Sequence, residues 1–281
     1  MQINLAKSAG FCFGVKRAIT MALETAKDQK PVLMLGDIVH NEEVVRQIQA
    51  AGIKKIKRLG CGKNKTLLIR AHGCSKHTLH QAINSGYRVV DATCPMVKEI
   101  HQIAQKLEND GYRLIIIGDR HHDEVLGIIG QLKTKAIVIE NPKSIPLKKI
   151  RKIPKAGVVV QSTQNLDKVM LILKRLHKHI PKINFQNTIC QPTRIKQNEV
   201  KSLPRLNSVM IIIGSKTSAN TKRIYQISKS LNKKTYWVSK PGEIKKIWLV
   251  KAKNVGISAG ASTPQSSIQA VIAKIKALYP A

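Results

Sequence analysis

The feature that most constrains the fold of this chain is an internal repeat marked by cysteine and glycine. Three cysteines are each followed, 24 residues later, by a glycine; the pairs are Cys12 and Gly36, Cys94 and Gly118, and Cys190 and Gly214. The runs before these glycines, "PVLML", "RLIII" and "VMIII", are apolar throughout, which is typical of parallel strands buried on both faces. The sequence therefore predicts three copies of one α/β unit.

The repeat also predicts how the chain closes. Each glycine is followed by a polar loop, a helix and a second apolar strand; then come a helix and a strand that leads into the next cysteine. This last strand is missing after the third copy, but "QINLAKSAGFC" at the N-terminus matches it. We therefore predict three small parallel-sheet α/β domains around a pseudo-threefold axis. Their boundaries are 12–93, 94–189, and 190–281 together with 1–11.

The three repeat cysteines are candidate metal ligands. Each stands at the carboxyl end of a predicted strand, where parallel α/β units gather ligands. Helices are predicted after Cys12 and Cys94, and their N-termini help to hold those thiolates ionised. Threefold symmetry places them on the same side of one axis, and three thiolates select zinc or an iron–sulfur cluster with one coordination position left for water or substrate. Three buried structural cysteines are the alternative, but the shared register favours ligands. Cys61 and Cys74 lie outside the register and are predicted not to be ligands.

The net charge of the chain suggests a different class of function. The chain has 49 Lys and Arg against 16 Asp and Glu, a net charge of +33, which suits a basic RNA-binding protein. The lysines are scattered, however, and aromatic residues make up only 4%, which leaves few platforms for stacking bases. We therefore expect no nucleic-acid partner, and a surface that attracts anionic substrates and acidic proteins.

The location of the protein is predicted from what the sequence lacks. No apolar run reaches the length of a bilayer span, and the N-terminus has no signal-peptide core. Five cysteines, an odd number, argue against a secreted disulfide framework. A cytoplasmic protein without a membrane partner is expected.

Polar residues in the remaining strand-end loops are expected to surround the same axis. Hydroxyls, amides, imidazoles and helix N-termini suit a phosphate or diphosphate. Glu124 follows a histidine pair and is a candidate general acid, because nearby anions raise the pKa of a carboxyl group. The other loop residues are His40, His72, His121, His122, Ser162, Thr163, Ser218, Asn220 and Ser262.

At these residues the sequence resembles the 4-hydroxy-3-methylbut-2-enyl diphosphate reductase (LytB/IspH) family of the non-mevalonate isoprenoid pathway. The matching segments include all three repeat cysteines and span the chain almost end to end; they are "AGFCFGVKRAI", "GDIVHN", "RAHG", "DATCPMV", "HHDEVLGIIGQ", "TICQPT", "GSKTSANTKR" and "VGISAGASTP". The resemblance implies a trefoil-like arrangement of three α/β domains around a central iron–sulfur cluster. It also implies reductive dehydroxylation of the allylic diphosphate to isopentenyl and dimethylallyl diphosphate.

The resemblance further implies roles for individual residues. One [4Fe-4S] cluster per subunit has three protein ligands and one open iron for the substrate hydroxyl; the ligands are Cys12, Cys94 and Cys190. Glu124 delivers protons, with Ser162 and Thr163 beside it. The diphosphate is bound by His40, His72, His122, Ser218, Asn220 and Ser262, with Ser162 and Thr163 also in the substrate site. Reduced ferredoxin or flavodoxin is the expected electron donor.

Four departures from the family pattern stand out. The usual His-Pro-Glu reads "HDE", with Asp123 for proline; Gln-Thr-Thr reads "QST", with Ser162; and Ser-Ser-Asn reads "SAN", with Ala219. The segment after Cys190, "QPTRIKQ", replaces Tyr-Ala-Thr-Thr-Asn-Arg-Gln. A non-redox iron–sulfur hydro-lyase also uses three cysteines and an open iron, and remains the alternative enzyme; only the reductase needs a supply of electrons.

Overall fold

The computed structural model describes residues 1–27 and 31–278. Within these ranges the strands are β1 (Gln2–Leu5), β2 (Val32–Leu35), β3 (Lys54–Ile56), β4 (Thr66–Ile69), β5 (Arg88–Asp91), β6 (Arg113–Ile117), β7 (Ile137–Ile139), β8 (Lys155–Val160), β9 (Lys182–Phe185), β10 (Val209–Ile213), β11 (Thr235–Val238) and β12 (Asn254–Ala259).

Helices alternate with these strands along the chain. They are α1 (Phe13–Thr25), α2 (Glu42–Ala50), α3 (Lys76–Asn84), α4 (Pro95–Asn109), α5 (Asp123–Ile129), α6 (Leu147–Ile150), α7 (Leu166–Leu176), α8 (Gln191–Leu206), α9 (Ala219–Leu231), α10 (Lys246–Leu249) and α11 (Gln265–Leu278). Two short 3-10 helices, Pro142–Ser144 and Pro241–Glu243, complete the described elements.

The strands form three four-stranded sheets of the same topology. Their orders are β3-β2-β4-β5, β7-β6-β8-β9 and, read in the same sense, β11-β10-β12-β1, and every pairing is parallel. Strand β1 pairs with β12, with Gln2 opposite Asn254, where the repeat predicts the missing strand of the third copy. The predicted α/β class with repeated parallel sheets is therefore confirmed, while the domain boundaries at the cysteines stay a prediction.

The chain divides into two compact units. One comprises Met1–Lys16, Val39–Gln47 and Gln191–Ala281, and it contains the sheet β1-β12-β10-β11. Its core packs the buried residues of β10 and β12 against one face of α11. The alternate residues of β10 pack on its other face against α8 and α9, so the whole strand is apolar.

The second unit comprises Arg17–Ile38 and Ile48–Cys190, and it contains the other two sheets. In the β7-β6-β8-β9 sheet, Ile115 and Ile117 pack towards α7, whereas Leu114 and Ile116 pack towards α4 and α5. In the other sheet, every residue of β4 is buried. Helices on both faces thus explain the uninterrupted apolar runs from which the repeat was recognised.

The repeat glycines occupy equivalent places in the three sheets. Each backbone N–H donates to the last carbonyl of the neighbouring edge strand; the pairs are Gly36 to Ile56 at 3.3 Å, Gly118 to Ile139 at 3.1 Å and Gly214 to Val238 at 3.0 Å. At Gly214 the φ angle is +149°, and an added Cβ would lie 2.6 Å from the Thr221 Oγ1 atom. Only glycine fits there without displacing the first turn of α9.

Among the described residues, no helix combines the length and the apolar character that crossing a bilayer requires.

Candidate active site

The three repeat cysteines have the same backbone setting. Each directly precedes a helix, because α1, α4 and α8 begin at the next residue. Each cysteine N–H also donates to the carbonyl two residues beyond the end of a neighbouring strand; the pairs are Cys12 to Ala261 at 3.1 Å, Cys94 to Ala71 at 2.9 Å and Cys190 to Ser162 at 3.1 Å. Because helix N-termini favour negative charge, all three positions suit a metal-ligand role.

Helix α8 directly follows Cys190, whereas the sequence predicts helices only after Cys12 and Cys94. One residue of the sequence indicates the start of this helix, namely Pro192 in the first turn. Proline is tolerated there because a backbone N–H in the first turn would have no partner within the helix. The polar stretch after it, whose mean hydropathy is low, concealed the buried positions Thr193, Gln197 and Val200.

The other two cysteines have different surroundings. All five cysteines are thiols in the described ranges, and Cys61 is exposed. Burial, with a contribution from the Asp91 carboxylate, raises the pKa of Cys74 to about 11. A thiol with this pKa stays protonated at neutral pH and is a poor metal ligand. These surroundings support the prediction that Cys61 and Cys74 are not ligands.

Glu124 is a buried carboxyl group in the first turn of α5, with a side chain 1% exposed. It accepts two hydrogen bonds from Ser162, one from the backbone N–H at 2.6 Å and one from the hydroxyl at 2.8 Å. Burial raises its pKa and the negative charge of Asp119 adds to this, whereas the two Ser162 hydrogen bonds oppose it. Glu124 can therefore hold a proton under conditions in which an exposed carboxyl group has lost it.

His122 stands beside this carboxyl group as the N-cap of α5. Its Nδ1 atom accepts a hydrogen bond from the Glu124 backbone N–H at 3.1 Å. In a neutral imidazole this leaves the proton on Nε2, which can then donate to an anion. The His72 ring meets the His122 ring edge to face, with centroids 5.4 Å apart. The second unit thus places two imidazoles and a protonatable carboxyl group around one helix start.

Asp123, which replaces a proline of the family motif, forms an ion pair. One of its carboxylate oxygens lies 2.6 Å from the Arg70 Nη1 atom, and both side chains are less than one quarter exposed. The added charge is therefore compensated, and α5 is tied to the Arg70–Gly73 loop that carries His72. Thr163, in the loop after β8, accepts a hydrogen bond from the Gln161 Nε2 atom at 3.2 Å.

The first unit gathers four of the predicted site residues near the start of α9. The Ser262 hydroxyl donates to the His40 carbonyl at 3.1 Å, and Ser218 caps α9 by accepting from the Thr221 N–H at 3.3 Å. Asn220 is 4% exposed, and its Oδ1 atom accepts from the Ala261 N–H at 3.0 Å. Among the described residues, the buried Asn220 Nδ2 atom has no hydrogen-bond partner. A buried donor without an acceptor suits an anionic ligand.

The repeated parallel-sheet scaffold, with a thiol directly before a helix in each copy and a buried carboxyl group whose pKa is raised, is typical of an α/β enzyme. The LytB family, described as "LytB protein", matches residues 3–276. The chain belongs to the LytB family, as the sequence motifs predict.

Its curated relatives are reductases. The chain is 38% identical over 276 residues to the 4-hydroxy-3-methylbut-2-enyl diphosphate reductase of Geobacter metallireducens, covering 98% of this chain and 97% of the relative. It is also 38% identical over 280 residues to the enzyme of that name from Aquifex aeolicus, covering 98% and 96%.

Two solved structures have the same fold. One is (E)-4-hydroxy-3-methyl-but-2-enyl diphosphate reductase, described as the terminal enzyme of the non-mevalonate pathway, with a TM-score of 0.73, 37% identity and 99% and 100% of the two chains covered. The other is the E-1-hydroxy-2-methyl-but-2-enyl-4-diphosphate reductase from Plasmodium falciparum, with a TM-score of 0.89, 26% identity and 98% and 88% covered.

Proposed function

We propose that this chain catalyses the reductive dehydroxylation of 4-hydroxy-3-methylbut-2-enyl diphosphate to isopentenyl and dimethylallyl diphosphate. The observation that carries this proposal is similarity over the whole chain to reductases of that name, at up to 38% identity. The reaction breaks the allylic C–O bond, consumes two electrons and two protons, and releases water. The chain must therefore supply a path for electrons, a proton donor and a site for the diphosphate.

The three repeat cysteines fit an iron–sulfur cofactor. They are half-buried thiols, each before a helix N-terminus, and each anchored by the same backbone hydrogen bond. We assign Cys12, Cys94 and Cys190 as ligands of a [4Fe-4S] cluster, since clusters of this kind are held by cysteine thiolates. When bound, the cluster supplies electrons and a Lewis-acidic iron with an open position.

Glu124 is assigned as the proton donor. Hydroxide is a poor leaving group, so the substrate oxygen needs a proton as the C–O bond breaks. The raised pKa of Glu124 keeps its proton available, and the two hydrogen bonds from Ser162 fix the orientation of the carboxyl group. We assign Thr163, one residue further along the same loop, to the substrate site beside Ser162.

The diphosphate is assigned to imidazole, amide and hydroxyl donors of the strand-end loops. His122 carries its proton on Nε2 when neutral, and the Asn220 Nδ2 atom is a buried donor that needs an acceptor. Donors that are already in place bind an anion without the entropic cost of ordering flexible lysines. The remaining members of the set are His40, His72, Ser218 and Ser262.

The electron donor is proposed to be an acidic protein, reduced ferredoxin or flavodoxin. A net charge of +33 speeds encounter with an acidic partner at low ionic strength, and salt screens this attraction. Turnover with such a donor should fall steeply with added salt, whereas turnover with a small cationic reductant should fall much less. Equal salt dependence with both donors would show that the surface charge has no role in electron delivery.

The proposed function is tested by anaerobic turnover of the allylic diphosphate. Product formation should require a reductant and should consume two electrons per substrate. Water loss or addition that proceeds without a reductant would instead identify a hydro-lyase. A basic RNA-binding protein would show neither activity nor the broad absorption near 400 nm (about the region of thiolate–iron charge transfer) that an iron–sulfur protein has.

A further inference from the structure

Lys196 is a lysine buried inside the first unit. It lies on α8, its side chain is 2% exposed, and it donates to the carbonyls of Gly10 at 3.0 Å and Ala259 at 3.3 Å, as well as to that of Ser8. Placing a lysine ammonium group away from water is costly unless its donors are satisfied. Here three backbone carbonyls satisfy them, and none of the residue assignments above uses this group.

The internal repeat shows that this charge is specific to one copy. Lys196 stands six residues after Cys190, and the residues six positions after Cys12 and Cys94 are Ala18 and Ile100, both buried and apolar. Apolar side chains are therefore sufficient to pack this position in the other two copies. The lysine must have a role that is specific to the third copy.

This role concerns the loop before Cys12. Three residues further along α8, the Glu199 carboxylate accepts the Ser8 N–H, 3.1 Å from both of its oxygens, and also the Ser8 hydroxyl. Lys196 and Glu199 therefore hold the same loop from one helix, the lysine through the loop's carbonyls and the glutamate through the Ser8 N–H and hydroxyl. The loop turns at Gly10, whose φ angle is +104°, and leads directly to Cys12.

The same lysine also affects the charge around Cys12. Burial lowers the pKa of Lys196 to about 8, while the negative charges of Cys12 and Glu199 favour its protonated form. The Lys196 ammonium group binds the Gly10 carbonyl, two residues before Cys12. A positive charge at that place favours the more negative, reduced state of a cluster held by Cys12.

We propose that Lys196, together with Glu199, is a positioning residue that clamps the Ser8–Gly10 loop, presents Cys12 to the iron–sulfur cluster and stabilises the reduced cluster. This inference rests on the cluster assignment made under the proposed function. The printed contacts of Lys196 are with the backbone of Ser8, Gly10 and Ala259, none of which is assigned to the substrate, so its effect is expected on cluster retention and cluster potential.

The test compares Lys196→Met, Lys196→Arg and Glu199→Gln with Lys274→Met, which removes an exposed lysine of the same unit. After anaerobic reconstitution with iron and sulfide, Lys196→Met should lose iron to a chelator faster than wild type, because its apparent metal affinity should fall by about 10-fold or more when support behind a ligand is removed. Its cluster midpoint potential should be more negative. Lys196→Arg should restore both properties towards wild type, and Lys274→Met should change neither.

Hydrogen exchange of the metal-free protein gives a readout that does not depend on the cluster. Amides of residues 8–12 should exchange faster in Lys196→Met and in Glu199→Gln than in the Lys274→Met control. If Lys196→Met does not fold, Glu199→Gln, which retains the lysine, replaces it in the test. The expected result is then faster amide exchange of the loop and faster iron loss in Glu199→Gln. Wild-type iron loss, potential and loop exchange in folded Lys196→Met would overturn the inference. Failure of the wild-type chain to bind iron would instead overturn the cluster assignment.

Discussion

Replacing Glu124 by glutamine removes one carboxyl proton and little else. In the wild-type chain the two carboxyl oxygens accept from the Ser162 N–H and from the Ser162 hydroxyl. A glutamine oxygen can keep the first hydrogen bond, and its amide can donate to the serine oxygen in place of the second. The structural cost should therefore be small, about 0.5–1.5 kcal/mol at most for one altered hydrogen bond.

The kinetic cost should be much larger. A positioned general acid contributes at least about 10²-fold to a rate, which corresponds to about 2.7 kcal/mol of transition-state stabilisation. We expect Glu124→Gln to bind the cluster and substrate normally and to lose this factor in kcat with a chemical reductant. The wild-type rate should fall as pH rises through the raised pKa of Glu124, because the donor loses its proton, and the variant should lack this fall.

The free energy of unfolding provides an independent check. The variant, which should lose rate, should gain stability relative to wild type at high pH. Because the pKa of Glu124 is raised on folding, its contribution to stability is fully present below the ordinary carboxyl range and is lost as pH rises through the folded-state pKa. Glutamine does not titrate, so Glu124→Gln should gain stability relative to wild type as pH rises, measured by chemical denaturation at several pH values.

A near wild-type rate in Glu124→Gln, with a crippled Asp123→Asn, would show that the wrong carboxyl group had been assigned.

Three further predictions address the surroundings of this group. Ser162→Ala removes a hydrogen bond that lowers the pKa of Glu124, so the fall in rate with rising pH should move to higher pH in a pH–rate profile. Asn220→Asp keeps the acceptor for the Ala261 N–H but replaces a buried donor by a negative charge; KM for the diphosphate should rise about tenfold or more while cluster absorption is unchanged, and an unaltered KM would count against the anion site. Asp123→Asn breaks the partly exposed pair with Arg70, so the free energy of unfolding should fall by no more than about 1 kcal/mol, and a larger loss would mean that the pair does more than join two loops.

The repeat carried most of the fold prediction, for a physical reason. Parallel strands covered by helices on both faces must be apolar along their length, so β6 and β10 could be recognised from sequence without partners. The N-terminal strand was placed because a parallel sheet that lacks an expected strand must find it elsewhere in the chain. The sequence does not predict helix α8, because the buried positions of this helix are largely polar and hydrophobic periodicity detects only apolar faces.

The site was predictable only in part. Glu124 and the histidines were named from motif resemblance and from their place at strand ends, which fixes the loop but not the partner of each side chain. The pairing of Asp123 with Arg70 joins residues 53 positions apart, and the bonds from Lys196 to the loop before Cys12 span 188 and 186 positions. Such contacts depend on tertiary packing, which short motifs do not encode.

Metal and sulfide analysis of the anaerobically purified protein tests whether the three repeat cysteines hold a cluster. About four iron and four sulfide are expected per wild-type chain, as a [4Fe-4S] cluster requires, together with reductant-dependent turnover of the allylic diphosphate. Both iron and activity should be lost when any one of Cys12, Cys94 and Cys190 is changed to serine. Changing Cys61 or Cys74 to serine should affect neither. Full iron loading in Cys94→Ser would contradict the account.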